Sequence, residues 1–163
     1  MSLTPEAERL RRRLLNPWLF RVYLLRRLPL AAGAGLRVRR LDDTGCDVSL
    51  RGGWRTRNPF ASTYFAAQAM AAEMSTGAPA SVLVASAPTS VAFILRGIRA
   101  VFTKRIVGES LFTFEDMAGL RAAVDRAAAG PEEQPYTGLS TGRTAAGEPA
   151  AEFEITWSFK RRR

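Results

Sequence analysis

The sequence predicts an α+β domain in which an antiparallel sheet wraps around one long, buried helix. Three observations carry this expectation. Helical patterns and a hairpin come first, and strand patterns dominate after Pro88. The 38 residues from Asn58 to Leu95 contain a single charged side chain, Glu73, so the helix in this stretch must sit away from water. Near the end, Ala151, Phe153, Ile155, Trp157 and Phe159 alternate with Glu152, Glu154, Thr156 and Ser158, the period of a strand with one wet face.

Taken in order, Thr4, Pro5 and Glu6 form a helix start, with an N-cap, a first-turn proline and an early acid, and the helix runs to about Leu15. Asn16 and Pro17 restart it. Trp18, Val22 and Leu25 then share one helical face, away from Arg21, Arg26 and Arg27. That face is expected to pack on its own domain; lying on a membrane is the alternative use of such a stripe. Pro29 and a loop over Gly33 to Gly35 end the segment.

Leu36 to Leu41 and Cys46 to Arg51 flank Asp42-Asp43-Thr44-Gly45, which predicts a hairpin. The apolar helix follows. Strands are expected over Ser90 to Thr103, Ser110 to Asp116, Tyr136 to Thr144 and Ala150 to Lys160, with a short helix over Met117 to Ala129 closed by Gly130-Pro131. No repeat or low-complexity linker divides the chain, so residues 1–163 are expected to form one domain, with N-terminal helices over 1–30 and the core over 31–163.

A chain of 163 residues, 47% apolar and 24% charged, has the composition of a globular domain. Its net charge of +9 comes mostly from dispersed arginines, 22 of the 24 basic residues. Two basic clusters are terminal, Arg9 with Arg11 to Arg13, and Lys160 to Arg163; both read as solvated, with anionic partners as the other reading. No histidine and a lone cysteine, Cys46, exclude Ser-His-Asp and Cys-His catalysis and leave no zinc site. Neither a metal nor a cofactor is called for. Cys46 cannot form an internal disulfide, and the N-terminus has no signal-peptide pattern, so a cytoplasmic protein is expected. Met74 to Leu95 lacks charge, but Gly77, Pro79 and Pro88 interrupt it, and no transmembrane helix is expected.

Glu73 is the candidate for chemistry. A helical wheel places Ser62, Ala66, Ala69 and Met70 near its face, with Tyr64 and Gln68 elsewhere. A carboxylate on a groove of small side chains needs something to satisfy it. Desolvation raises its pKa toward general-base work at neutral pH. The plainer alternative pairs Glu73 with an arginine from a strand, Arg96 or Arg99, or with a backbone amide.

Asn58, the helix after it, and an acid fifteen residues on resemble the motif of hotdog-fold acyl-CoA thioesterases, in which an Asn precedes His-Gly-Gly and a helical Asp or Glu follows. The phrases LRRLPLAAGAGLRVRRLDD, NPFASTYFAAQAMAAEMSTG, FTKRIVGES and FEITWSFK are similar to a bacterial hotdog family of unassigned activity, from about Asn16 to Lys160. The resemblance implies a homodimer, or two such dimers paired into a tetramer, with the active site at the subunit seam. It implies Glu73 as general base or nucleophile and Asn58 as the residue that orients substrate or water. Tyr64-Phe65-Ala66 stands where that family has His-Gly-Gly, so the backbone amide that polarises the thioester carbonyl falls on Phe65, with Tyr64 and Ala66 lining the substrate. Thr89 and Ser90 stand where some relatives hold a water.

Three function classes follow. The first is a thioesterase-like hydrolase acting on an acyl-CoA or acyl-carrier thioester. The second is a non-catalytic acyl-CoA-binding protein of the same fold. The third is a membrane-surface or nucleic-acid binder using the basic termini; base-stacking platforms are not evident, so nucleic acid is not expected.

Overall fold

A computed structural model describes residues 3–162. Three helices lead the chain: α1 (Pro5–Leu15), α2 (Pro17–Arg27) and α3 (Pro29–Ala34). Thr4 caps α1 by accepting from the Ala7 amide, and Asn16 caps α2 by accepting from Trp18 and Leu19. These bonds satisfy N–H groups that each helix start would leave orphaned. The segment expected to end as a loop is instead the short helix α3. Gly35, at φ 76, supplies the left-handed residue that closes it.

Strands β1 (Arg37–Leu41) and β2 (Cys46–Leu50) form the hairpin, and α4 (Phe65–Ala85) is the long helix. Then come β3 (Val91–Phe102), β4 (Ser110–Phe114), α5 (Met117–Ala129), β5 (Gln134–Arg143) and β6 (Pro149–Arg161). The six strands make one antiparallel sheet in the order β1-β2-β4-β5-β6-β3. It curls around α4, with α1 and α5 on either side of that helix.

Helix α4 runs through Gly77 and Pro79, residues that usually break helices. Proline removes one helical hydrogen bond. Burial of Ala78, Ala80, Val82 and Leu83 against the sheet outweighs that loss. The inward row of β6 is as expected: Ala151, Phe153, Ile155, Trp157 and Phe159 are all buried. Two hydrogen bonds tie this sheet to α4. Trp157 Nε1 donates to Thr76 Oγ1 at 2.9 Å, and the Ser75 and Ser140 hydroxyls meet at 2.8 Å.

One expectation is corrected by α2. Trp18, Val22 and Leu25 do share a face, but it points outward, and their relative exposures are 79%, 44% and 57%. The inward face is Phe20 and Leu24, both buried. Helix α2 is apolar on two sides, so periodicity alone offers two phases. Packing against α1, α3 and β1 sets which one meets the core.

Candidate functional site

Glu73 lies in the middle of α4 and is half-buried. Its carboxylate makes no ion pair or hydrogen bond among the described residues. The two arginines that could have neutralised it are engaged elsewhere: Arg96 with Glu133 at 2.6 Å, and Arg99 with Glu154 at 3.4 Å. Burial without a compensating charge raises the carboxyl pKa above its ordinary value. The side chain opens on a cleft of about 550 Å³ lined by Arg27, Leu28, Leu30, Ala31, Met70 and Met74, among others. The wall facing Glu73 is the α2–α3 junction. The groove holds Met70, as expected, beside Met74, but Leu28 and Leu30 stand in place of the expected small side chains, because the α2–α3 segment lies across α4.

A second group of candidate residues sits at the start of α4. Asn58 Oδ1 accepts from the Phe60 amide, the Ser62 amide and the Ser62 hydroxyl at 3.0 to 3.1 Å, so this side chain holds the loop before the helix. Within it, Ala61 takes a left-handed φ of 58°, a conformation costing an alanine about 1–2 kcal/mol. The Tyr64 amide donates to Thr56 O, and the Thr63 amide to Ile106 O. Tyr64 is the N-cap of α4 but contributes no side-chain cap. The first N–H groups of the helix, at Phe65 and Ala66, therefore keep the orphan-donor character of a helix start. The Tyr64 and Phe65 rings meet edge to face at 4.8 Å beside them.

Within one chain these two groups are apart. Eight residues separate Phe65 from Glu73, about 12 Å along a helix axis. Asn58, Tyr64, Phe65 and Ala66 do not line the Glu73 cleft. Thr89 and Ser90 lie beyond the other end of α4, whose last residue, Ala85, is about 18 Å along the axis from Glu73. Thr89 Oγ1 donates to Ala128 O, tethering α5. Two residues that the sequence did not single out support the arrangement. Gln68, buried in the first turn of α4, donates to Thr63 O at 2.9 Å and leaves its Oε1 without a partner. Gly77 lies one turn beyond Glu73 and leaves room for its carboxylate. Proximity to Glu73 at helical spacing is the signal that could have found it.

The domain of unknown function DUF4442 matches residues 16–158. The chain belongs to the DUF4442 family. Three solved structures similar to this DUF4442 protein carry the comparison of folds. A protein of unknown function from Chlorobaculum tepidum aligns with a TM-score of 0.75 at 11% identity, covering 91% of this chain and 98% of its own. A thioesterase from Haemophilus influenzae gives 0.63 at 12% identity, covering 86% and 88%. A mutant thioesterase from Pseudomonas aeruginosa gives 0.65 at 16% identity, covering 99% and 100%. The DUF4442 protein thus has the hotdog fold of these thioesterases, α4 being the helix enclosed by the sheet. No curated protein matches the chain.

Proposed function

We propose that this DUF4442 protein is a thioesterase-like hydrolase acting on an acyl-CoA or acyl-carrier thioester, with Glu73 as general base or nucleophile. The observation that carries this reading is the unpaired carboxylate of Glu73 on an apolar cleft. A carboxylate held short of water and without an ion-pair partner among the described residues is poised to take a proton from water at neutral pH. The cleft suits an acyl chain, since Leu28, Leu30, Met70 and Met74 offer it hydrocarbon contact.

The reacting carbonyl also needs a donor for its developing negative charge. The free N–H of Phe65 at the start of α4 is the donor in this reading, helped by the helix dipole. In our reading a donor more than two helical turns from Glu73 of its own chain, about 12 Å by axial rise, does not meet that carboxylate at one atom. The site is therefore assembled from two copies, Glu73 of one facing Phe65 and the Asn58 loop of the other.

Strand β3 supplies the seam. It is twelve residues long and, among the described residues, pairs only with β6, leaving its other edge open. Ile94 and Ile98 are 61% and 44% exposed on it. A long apolar edge of this kind is a template for pairing with another strand. In our reading its partner is β3 of a second copy, in a symmetric homodimer.

Complementation tests both halves. Glu73→Ala removes the base. Phe65→Pro removes the N–H at the first helical position, where proline is tolerated. Each variant alone should lose at least about a hundredfold in acyl-CoA hydrolysis. Mixed after dissociation, they should recover about a quarter of wild-type activity, since each mixed dimer keeps one intact site. No recovery would place both groups in one chain; an unchanged Glu73→Ala would end the hydrolase reading. A bound acyl-CoA with no turnover in wild type would leave the binding-protein alternative.

A further inference from the structure

We infer that the outer face of α2, with the arginine cleft beside it, docks this protein on an anionic phospholipid surface. Two independent features meet there. The first is the apolar stripe turned away from the core. Trp18, Val22 and Leu25 fall within about 60° of one another on the helix and roughly opposite the buried pair Phe20 and Leu24. Arg21 and Arg26 flank the stripe and are exposed. An apolar ridge edged by arginines is the pattern of a helix lying in the interfacial plane of a bilayer.

The second feature is charge. The 33 residues from Arg9 to Leu41 hold ten arginines and no acid. At the α2–α3 side, Arg21, Arg51 and Arg55 line a cleft of about 820 Å³ floored by the backbone of Gly33, Gly35 and Gly53, among others. An adjoining cleft of about 770 Å³ shares Arg21 and Arg51, adds Arg37, and has Trp18 on its rim. Among the described residues, neither cleft has an Asp or Glu in its lining. Among the described residues, none of these four arginines forms an ion pair or side-chain hydrogen bond. Like charges gathered in a concavity repel one another unless an anion joins them, and the guanidinium fork matches phosphate.

Charge also selects the occupant. A second copy docked through this face would bring Arg21 and Arg26 toward their own equivalents in a symmetric contact, which repels. A soluble phosphate ester would leave the Trp18–Leu25 ridge in water. A bilayer of anionic lipid satisfies both, with headgroup phosphates on the arginines and the ridge among the acyl boundaries. Helix α2 packs against β1, at the opposite end of the strand order from β3.

The test is sedimentation of the full chain with vesicles of phosphatidylcholine alone, or of phosphatidylcholine and phosphatidylglycerol in equal parts. Wild type should partition at least tenfold more strongly onto the anionic vesicles. Arg21→Gln and Arg26→Gln should each weaken that partition about fivefold, the factor that about 1 kcal/mol per surface cation represents. Trp18→Ser with Leu25→Ser should weaken it more than tenfold, with an unchanged circular dichroism spectrum because both side chains are exposed. Equal partition onto both vesicle types, or none, would overturn the inference. So would wild-type strength in the Trp18→Ser, Leu25→Ser variant. Protection by inorganic phosphate without vesicle binding would mark a free-phosphate site instead. An RNA oligomer bound as tightly by the Trp18→Ser, Leu25→Ser variant would mark a nucleic-acid surface, and concentration-dependent self-association lost in that variant would mark a protein contact; each outcome refutes the membrane assignment.

Discussion

Glu73 Oε1 lies 3.1 Å from the point where a β-carbon on Gly77 would stand, one helical turn further along α4. The same point is 3.2 Å from Cζ2 of the buried Trp157 ring. A methyl group there must displace the carboxylate or the indole, and the indole is held by its bond to Thr76. Gly77→Ala should therefore move the carboxylate. Helix propensity gains about 1 kcal/mol and overpacking costs about 1–3 kcal/mol, so net stability should fall by no more than about 2 kcal/mol. Urea unfolding beside acyl-CoA hydrolysis would separate the two effects: activity should drop far more than that loss of stability explains. Full activity would show that the carboxylate has no need of this gap.

Protonation of Glu73 should be visible in stability. Its folded pKa is raised by desolvation above the ordinary 4.5, so the native state holds this proton more tightly than the unfolded chain does. The stabilisation is complete below the unfolded pKa and is lost as pH rises through the folded one. Glu73→Gln, which cannot ionise, should match wild type at acid pH and exceed it in urea midpoint near neutrality. A gap that shrinks as pH rises would contradict the assigned direction.

Thr76 is the acceptor for a buried indole N–H. Thr76→Val keeps the volume and leaves Trp157 Nε1 unsatisfied, a loss of about 1–3 kcal/mol. Chemical denaturation would measure it. Trp157→Phe in the Thr76→Val background should recover part of that loss, because the orphan donor is then gone.

Ile94→Lys with Ile98→Lys on β3 should abolish strand pairing by placing cations along the open edge. Sedimentation velocity should show a folded monomer with no hydrolytic activity. A variant that stays dimeric would move the seam elsewhere on the molecule.

Cys46 is buried in the β1–β2 hairpin, and burial pushes its thiol pKa well up. A thiol-specific reagent should leave it unmodified in the native protein and react stoichiometrically in denaturant. Rapid native labelling would mean that the hairpin opens.

Local rules explain why so much of the architecture was legible. Asn16-Pro17 restarts a helix because the amide side chain caps it and proline suits the first turn. Phe153, Ile155 and Trp157 point inward because strand side chains alternate. Met117 to Ala129 is helical from Asp116, which caps it by accepting from Gly119, to the break at Gly130. Helix α4 was harder to bound, since Gly77 and Pro79 argue locally for an end that burial overrides.

The α+β order, the strand faces and the isolation of Glu73 from any charged neighbour along the chain follow from residue order alone. Whether a distant arginine would fold onto that carboxylate was beyond it, because ion pairing depends on which strands meet, and register is a property of the whole sheet. The folded arrangement of strands and helices turns Arg96 and Arg99 to Glu133 and Glu154 and makes the α2–α3 junction a wall of the cleft. It also decided which side of α2 faces water. Two apolar faces on one helix satisfy periodicity equally well, and only packing against the rest of the domain distinguishes them.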